Sequence, residues 1–538
     1  MNFDTWAESF LKKRIEKEEF DPSKHSFFTH SPLRQFVQLL FTGFLRPTYY
    51  MDAKEVFNYS LVVHDKVLKE DPVFHLAGLK IAREESFMKD QPLIGVMLRL
   101  KPDYNLREKY FNDHVEILST YPPHHLLRKF VEPIRKRALG YGLGRHTKRL
   151  LVKTFESWTE NLLKYYVVRY KRHMRDLVNL THYKLPDDDY ARVLFNRELD
   201  KIQDEYFKAY VKYMESISKK EFIKAAEIAN EYGLPFELLR NSIPKTHYHI
   251  REVYRALLNR ATSLSIMSFA VSLAKAGVPF DILAKYVEQK GKNKNVTSLD
   301  VAKPMIVSLA EFGLDNPLTK TLGMLYTKKL VDVWKRIDTS FLKVSDKKIA
   351  LILDASASMF FTSLLRSFFV NSLIALAPLA INVKHLILFS EDVGEHDPQL
   401  LCSLDGICEL IRIGTKKYNR GTNIPGALNY VKTLDDVDII ILSTDEQANI
   451  NRLHENEYYI IKELLKKGKG VIIHNPSPYP VHITVPFEGV SYIYGDRAES
   501  IIGSLRAQAL RDLKDEEVKE VIVRLVTEKE KYRRPQKE

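Results

Sequence analysis

Cysteine is nearly missing from this chain, with only Cys402 and Cys408 in 538 residues. Two thiols exclude a disulfide framework and a four-cysteine zinc site. Set among apolar neighbours, both read as small core residues in a reducing compartment. Long apolar runs are missing as well, since no stretch approaches the roughly 20 residues that cross a bilayer. Met1 to Phe20 alternates acids with bases and lacks the apolar centre of a secretory signal. The expectation is a cytoplasmic protein with no membrane partner. No Gly-x-x-x-x-Gly-Lys-Ser/Thr loop occurs, and no Ser-His-Asp or Cys-His set stands at catalytic spacing. The chain is therefore expected not to be an enzyme. No sequence repeat is evident either.

What is present is a globular composition, 45% hydrophobic and 28% charged, in a chain long enough for two or three domains. The net charge of +13 is uneven. Residues 1–350 carry 59 Lys+Arg against 43 Asp+Glu, residues 351–500 carry 13 against 18, and residues 501–538 carry 10 against 8. A basic first part beside an acidic second part points to a polyanion, most simply nucleic acid, as partner of the first. A merely solvated cationic surface is the alternative reading.

The boundary between the two falls at Lys348-Ile349-Ala350-Leu351-Ile352-Leu353-Asp354-Ala355-Ser356-Ala357-Ser358. Ile349 to Leu353 reads as a buried strand of a parallel sheet, and it ends at a carboxylate. Ligands of open α/β sheets bind at the carboxyl ends of strands. Asp354, Ser356 and Ser358 put three hard oxygens on one loop, which suits a divalent cation, Mg²⁺ in particular. Asp-x-Ser-x-Ser after such a strand resembles the metal-ion-dependent adhesion site of the von Willebrand factor A domain, and the resemblance implies a Thr and a second Asp from later loops as further ligands. Both are present in order: Arg420-Gly421-Thr422-Asn423 precedes a helix from Pro425 to Val431, and the strand Ile439–Leu442 ends at Ser443-Thr444-Asp445. The implied metal set is thus Asp354, Ser356, Ser358, Thr422 and Asp445. The resemblance implies a doubly wound α/β domain whose metal captures a carboxylate from a protein partner.

Between Pro32 and about Ser340, apolar residues recur at three- and four-residue spacing with short Pro or Gly breaks. The pattern predicts helices in series, a helical solenoid. Expected helices include Asp52–Leu68, Pro72–Phe87, His124–Leu139, Lys148–Asn179, Asp189–Ser216, Lys219–Tyr232, Arg251–Lys275 and Leu322–Ile337. A first helix is expected from Phe3 to Glu19. The densest basic region holds Arg128, Lys129, Arg135, Lys136, Arg137, Arg145, Lys148, Arg149 and Lys153 around a Gly140-Tyr141-Gly142-Leu143-Gly144 turn. A second segment, Tyr165 to Arg175, interleaves bases with tyrosines, which suits phosphate contact and base stacking. On one continuous helix, Arg169, Arg172 and His173 would share a face.

Gly142-Leu143-Gly144-Arg145, Lys148-Arg149, Trp158, Tyr170, and Asp176-Leu177-Val178-Asn179-Leu180-Thr181-His182-Tyr183-Lys184-Leu185-Pro186 together resemble the TROVE domain of Ro autoantigen-like ribonucleoproteins. Thr48-Tyr49-Tyr50 and Arg251 to Leu258 match further landmarks, and the order of a TROVE domain followed by an A domain is the family's own. The resemblance implies a ring of HEAT-like helices closed by the A domain. The hole of such a ring takes single-stranded 3′ ends of misfolded noncoding RNAs, and its outer surface binds duplex RNA and small Y RNAs. His182 matches an RNA-contacting histidine, and Arg169 and Lys171 match basic positions before it. The segment from Tyr170 to Asp176 is shorter than the family's, which bears on Arg172.

The expected architecture is thus an all-α HEAT-like repeat domain (1–345), an α/β von Willebrand factor A-like domain (346–512) and a charged helical tail (513–538). The RNA-contacting candidates are Arg135, Lys136, Arg137, Arg145, Lys148, Arg149, Arg169, Lys171, Arg172 and His182. Partners are expected to be noncoding RNA and, at the metal, an exoribonuclease or another protein. A metal-dependent protein-interaction adaptor, with the helical part as spacer, is the competing reading.

Overall fold

A computed structural model describes residues 31–42, 53–84, 90–338, 343–360, 367–445, 454–476, 489–494, 498–511 and 513–533. The expected helix Phe3–Glu19 and the Thr48-Tyr49-Tyr50 landmark lie outside them. The described chain is mostly helical with one mixed six-stranded sheet. It divides into two compact units, residues 1–95 with 294–538, and residues 96–293.

In the first unit, helices α1 (Pro32–Thr42), α2 (Ala53–Glu70) and α3 (Pro72–Glu84) lead to α4 (Gln91–Arg99), which runs on into the second unit. The second unit is all helical. Its main helices are α5 (Phe111–Ser119), α6 (Arg145–Glu156), α7 (Glu160–Arg169), α8 (Lys171–Thr181), α9 (Asp188–Phe195), α10 (Glu205–Ser218), α11 (Phe222–Tyr232), α12 (Phe236–Ser242), α13 (Arg251–Arg260), α14 (Ser263–Lys275) and α15 (Phe280–Gly291).

Three helices expected to be long are each interrupted. Lys148–Asn179 becomes α6, α7 and α8. Thr159 caps α7 by accepting from the Leu162 N–H, and the backbone leaves the helical region at Tyr170. Asp189–Ser216 breaks at Asn196, which is left-handed, and resumes where Asp204 accepts from the Phe207 N–H. Arg251–Lys275 breaks at Thr262, which accepts from the Ser265 N–H. At the starts of α7, α10 and α14 a side-chain oxygen satisfies an N–H that has no partner inside the helix, whereas α8 starts after Tyr170 without a side-chain cap. His124–Leu139 is also irregular, since Leu126–Val131 winds as a π-helical turn.

The chain returns to the first unit through α16 (Ser298–Phe312) and α17 (Pro317–Ile337). The sheet follows, with β1 (Ile349–Asp354), α18 (Phe368–Leu376), β2 (Val383–Phe389), β3 (Val393–His396), α19 (Leu404–Ile413), α20 (Ile424–Lys432), β4 (Ile439–Ser443), α21 (His454–Lys466), β5 (Gly470–Asn475), β6 (Val490–Tyr494), α22 (Ala498–Ala509) and α23 (Asp515–Arg533). The strand order is β3-β2-β1-β4-β5-β6, all parallel except β3 against β2. Val393–His396 forms that antiparallel edge strand, with Phe389 opposite Val393 and Leu386 opposite His396. Each face of the sheet is covered. Ala350, Ile352, Ile440, Leu442, Val471 and Ile473 pack with Ala427 and Leu428 of α20 and with Ile461 and Leu464 of α21. α18 and α22 pack against the sheet as well.

Helices from both ends of the all-α stretch are tied to this sheet. The Tyr326 hydroxyl of α17 donates to the Leu401 carbonyl at 2.8 Å, and Arg506 of α22 donates to Ile337 O at 2.9 Å. α1 packs so closely on α22 that a Cβ at Gly503 would stand 1.9 Å from the Phe41 carbonyl oxygen. The charged tail helix α23 buries Val518, Ile522 and Leu525 and packs on α3. An ion pair of 2.7 Å between Arg34 and Asp515 fastens its start.

Candidate functional site

The oxygen-rich residues gather at the carboxyl ends of β1 and β4, the two central strands, where the chain order of the sheet reverses. That is the topological switch point at which open α/β sheets bind ligands. Asp354 is fully buried, Asp445 and Ser356 nearly so, and Ser358 is half-buried. One Asp354 oxygen accepts from the Ser356 N–H at 2.8 Å and the other from the Thr444 hydroxyl at 2.6 Å. The Ser356 and Ser358 hydroxyls lie 3.2 Å apart. Thr422 sits on a loop pinned twice: the Ala357 N–H donates to Arg420 O, and the Asn423 N–H donates to Ser390 O, both at 2.8 Å.

Burial, and then the charge of Asp445, push the Asp354 carboxyl up to about 7. Two buried carboxylates that repel each other, with hydroxyls on the neighbouring turns, form a donor set that a hard divalent cation would neutralise. Asp354, Ser356, Ser358 and Asp445 are oxygen donors that would suit such a cation, and Thr422 stands on the loop pinned to Ala357 and Ser390. Among the described residues no group of three or more His, Cys, Asp or Glu side chains is placed to hold a metal ion. Beneath the loop, a buried relay runs from His474 Nδ1 to the Ser443 hydroxyl (2.8 Å), on to Ser372 (2.7 Å) and to the Phe368 carbonyl (3.0 Å). This fixes the turn that carries Asp445. Sequence reading missed it, because Ser372 and His474 are far apart in the chain.

All ten RNA candidates lie in the unit of residues 96–293. Its own composition separates it from the rest: 36 Lys+Arg against 23 Asp+Glu, net +13, while the other unit carries 46 of each and is neutral. Arg135, Lys136, Arg137, Arg145, Arg172 and His182 are exposed, and Lys148 is half-buried. His182 ends α8 in the left-handed conformation, φ 57°, with its N–H on Val178 O.

The other three are engaged within the protein. Arg149 pairs with Glu108. Arg169 pairs with Glu237 at 2.7 Å and lies over the rings of Tyr165 and Tyr170. Lys171 donates to Asn196 Oδ1 at 2.6 Å. Because the helix breaks at Tyr170, Arg169 does not continue the face of Arg172 and His173.

A histidine cluster the sequence did not disclose stands beside Tyr170. His124 stacks on that ring, centroids 4.6 Å apart, and meets His125 at 4.2 Å and His173 at 6.0 Å. Burial, followed by the charges of His125, His173, Arg169 and Arg128, lowers the His124 imidazole to about 4. At neutral pH the His124 imidazole is therefore uncharged, and its depression reports the burial and the positive potential of Arg169 and Arg128 around it. The sequence signal was Pro122-Pro123-His124-His125 ahead of Arg128, and only the fold brings it to Tyr170.

No family model matches the chain, and no curated protein matches it.

Proposed function

We propose that this is an RNA-binding component of a ribonucleoprotein. In this reading the all-α residues are HEAT-like repeats of the TROVE kind and the sheet is a von Willebrand factor A domain. The RNAs are small noncoding, Y-like RNAs and misfolded structured RNAs with single-stranded 3′ ends, and the setting is RNA quality control. The observation that carries the reading is the confinement of the whole net charge, +13, to one compact helical unit while the remainder is neutral. A generally basic surface would spread its charge over both. Bases interleaved with Tyr165, Tyr166 and Tyr170 add stacking platforms to phosphate contacts.

The A domain would bind Mg²⁺ and recruit a protein through a carboxylate, an exoribonuclease being one such partner. The buried acid pair supports a cation there, and the exposed Lys416, Lys417 and Arg420 on neighbouring turns favour an acidic ligand. Neither role asks the protein itself for catalysis.

The test is binding of a 3′-tailed RNA duplex by the native chain and by Arg135→Ala/Lys136→Ala/Arg137→Ala. The three residues are exposed, so the fold is kept. Affinity is expected to fall about tenfold or more at low salt, and the slope of log K on log salt to flatten by about 0.7–0.9 for each lost contact. Unchanged affinity and slope would remove these residues from the interface.

A further inference from the structure

A second feature of the basic unit is concave. A cavity of about 840 Å³ opens beside α8 and α10. That volume lies within the range of small-molecule sites. Four cations line it: Lys171, Arg172 and Arg175 from the first turns of α8, and Lys219 just past α10. Glu215 is the one carboxylate in the lining. Among the described residues, no side-chain ion pair engages Arg172 or Lys219, and Arg175 has only Asp176 at 3.9 Å. The rest of the lining is of a different kind. Leu199, Val211 and Met214 make an apolar wall, with Val193 fully buried, and Tyr210 lies under the Lys171 ammonium, 5.4 Å from the ring centroid. Burial and the charge of Arg175 together lower the Lys171 ammonium, so an anion arriving here would relieve it.

An inorganic anion would use the cations and leave the wall idle, and a neutral aromatic would do the reverse. Arginine forks match phosphate oxygens in pairs, and a flat base suits an apolar wall with the Asn196 amide at its rim. We infer that this cavity takes one nucleoside monophosphate, with its terminal phosphate on Arg172, Arg175 and Lys219 and its base against Leu199, Val211 and Met214. The nucleotide is either free or the 5′-phosphorylated end of a strand; the chemistry recognised is the same. The choice of a base over other flat groups rests on the nucleic-acid reading above.

The experiment is calorimetric titration of the full chain with AMP, adenosine, inorganic phosphate, and 5′-phosphorylated and 5′-hydroxyl hexanucleotides. AMP is expected to bind at least about tenfold tighter than adenosine or phosphate. Met214→Trp, which fills the cavity from an exposed position, is expected to weaken AMP by more than about tenfold while leaving the unfolding midpoint and tailed-duplex affinity unchanged. Lys219→Glu should weaken AMP similarly. A preference for the 5′-phosphorylated hexanucleotide assigns a strand end, and AMP binding without it assigns the free nucleotide. AMP no tighter than phosphate, or undiminished in both variants, overturns the inference. A chain that binds AMP but no RNA refutes the RNA reading and keeps the pocket, whereas one that binds tailed RNA but not AMP refutes the pocket alone.

Discussion

Asp189 is the strongest point of attack on the basic unit. It is nearly buried in the first turn of α9 and accepts three hydrogen bonds: from the Gln203 N–H at 2.8 Å, the Asp204 N–H at 2.7 Å and the Arg192 guanidinium at 2.8 Å. These clasp residues 196–204 against α9, and Asp204 in turn caps α10. Asp189→Ala leaves two backbone donors and a guanidinium without their acceptor. Bonds to a charged acceptor contribute about 1.5–3 kcal/mol each, and breaking a buried charged set costs about 3–5 kcal/mol. The Arg192 bond is partly solvent-screened, so the loss rests mainly on the two backbone bonds, and about 3–5 kcal/mol is expected. Asp189→Asn keeps one acceptor oxygen and should lose about half of that.

These same bonds hold the Asp189 carboxyl below its usual range, although burial opposes them. A depressed folded pKa gives stability that is present above the unfolded value, about 3.9, and lost as pH falls through the folded value. The difference between the native chain and Asp189→Ala should therefore narrow as pH falls below about 4. Urea unfolding gives the difference at pH 7, and hydrogen exchange of peptides covering 196–207 localises it. A difference under about 0.5 kcal/mol, or exchange unchanged in that segment, would refute the clasp.

Three further outcomes follow from the first unit. His64, fully buried between His75 Nε2 and Gln91 Oε1, is lowered to about 4 by burial, so stability should fall by about 3 kcal/mol as pH drops from 6.5 towards 4, where the unfolded chain binds the extra proton; the pH dependence of the urea midpoint should flatten in His64→Leu. Gly503→Ala should cost about 1–3 kcal/mol, because its Cβ meets a backbone oxygen of α1 rather than a side chain that can yield, and thermal unfolding measures it. Asp354→Asn in chelator should be at least as stable as the native chain, since it removes one of two repelling buried carboxylates, yet it should lose the roughly 2.7 kcal/mol that Mg²⁺ at 100 times its Kd lends the native chain. Equal stabilisation of both chains by Mg²⁺ would dismiss the site.

Much of this was readable in the chain. The runs Ile349–Leu353 and Ile439–Leu442 are buried on both faces, so they announce central strands without help from alternation. Their terminal acids follow from that. β3 was unreadable, because Val393-Gly394-Glu395-His396 has no apolar run and is held at the sheet edge only by pairing with β2. Thr159, Asp204 and Thr262 were available as helix stops, but the apolar period continued across them and outweighed the caps. Tyr170 carries no breaker signal at all. The π-helical turn at Leu126–Val131 has an ordinary helical composition. Net charge was legible only to the resolution of an assumed boundary, and grouping residues 31–95 and 294–338 with the sheet is what isolates the +13. Contacts such as His124 on Tyr170 belong to the fold alone.

The central claim, an RNA-binding helical unit with a metal-binding partner domain, is tested most directly by a salt titration of binding to a duplex RNA with a single-stranded 3′ tail. The blunt duplex and the DNA equivalent are measured beside it. The account predicts tight binding that needs the tail, prefers RNA, and weakens with a slope of about 0.7 per phosphate contacted on the single strand. Binding to neither RNA at low salt, or equal binding to all three nucleic acids, would contradict it.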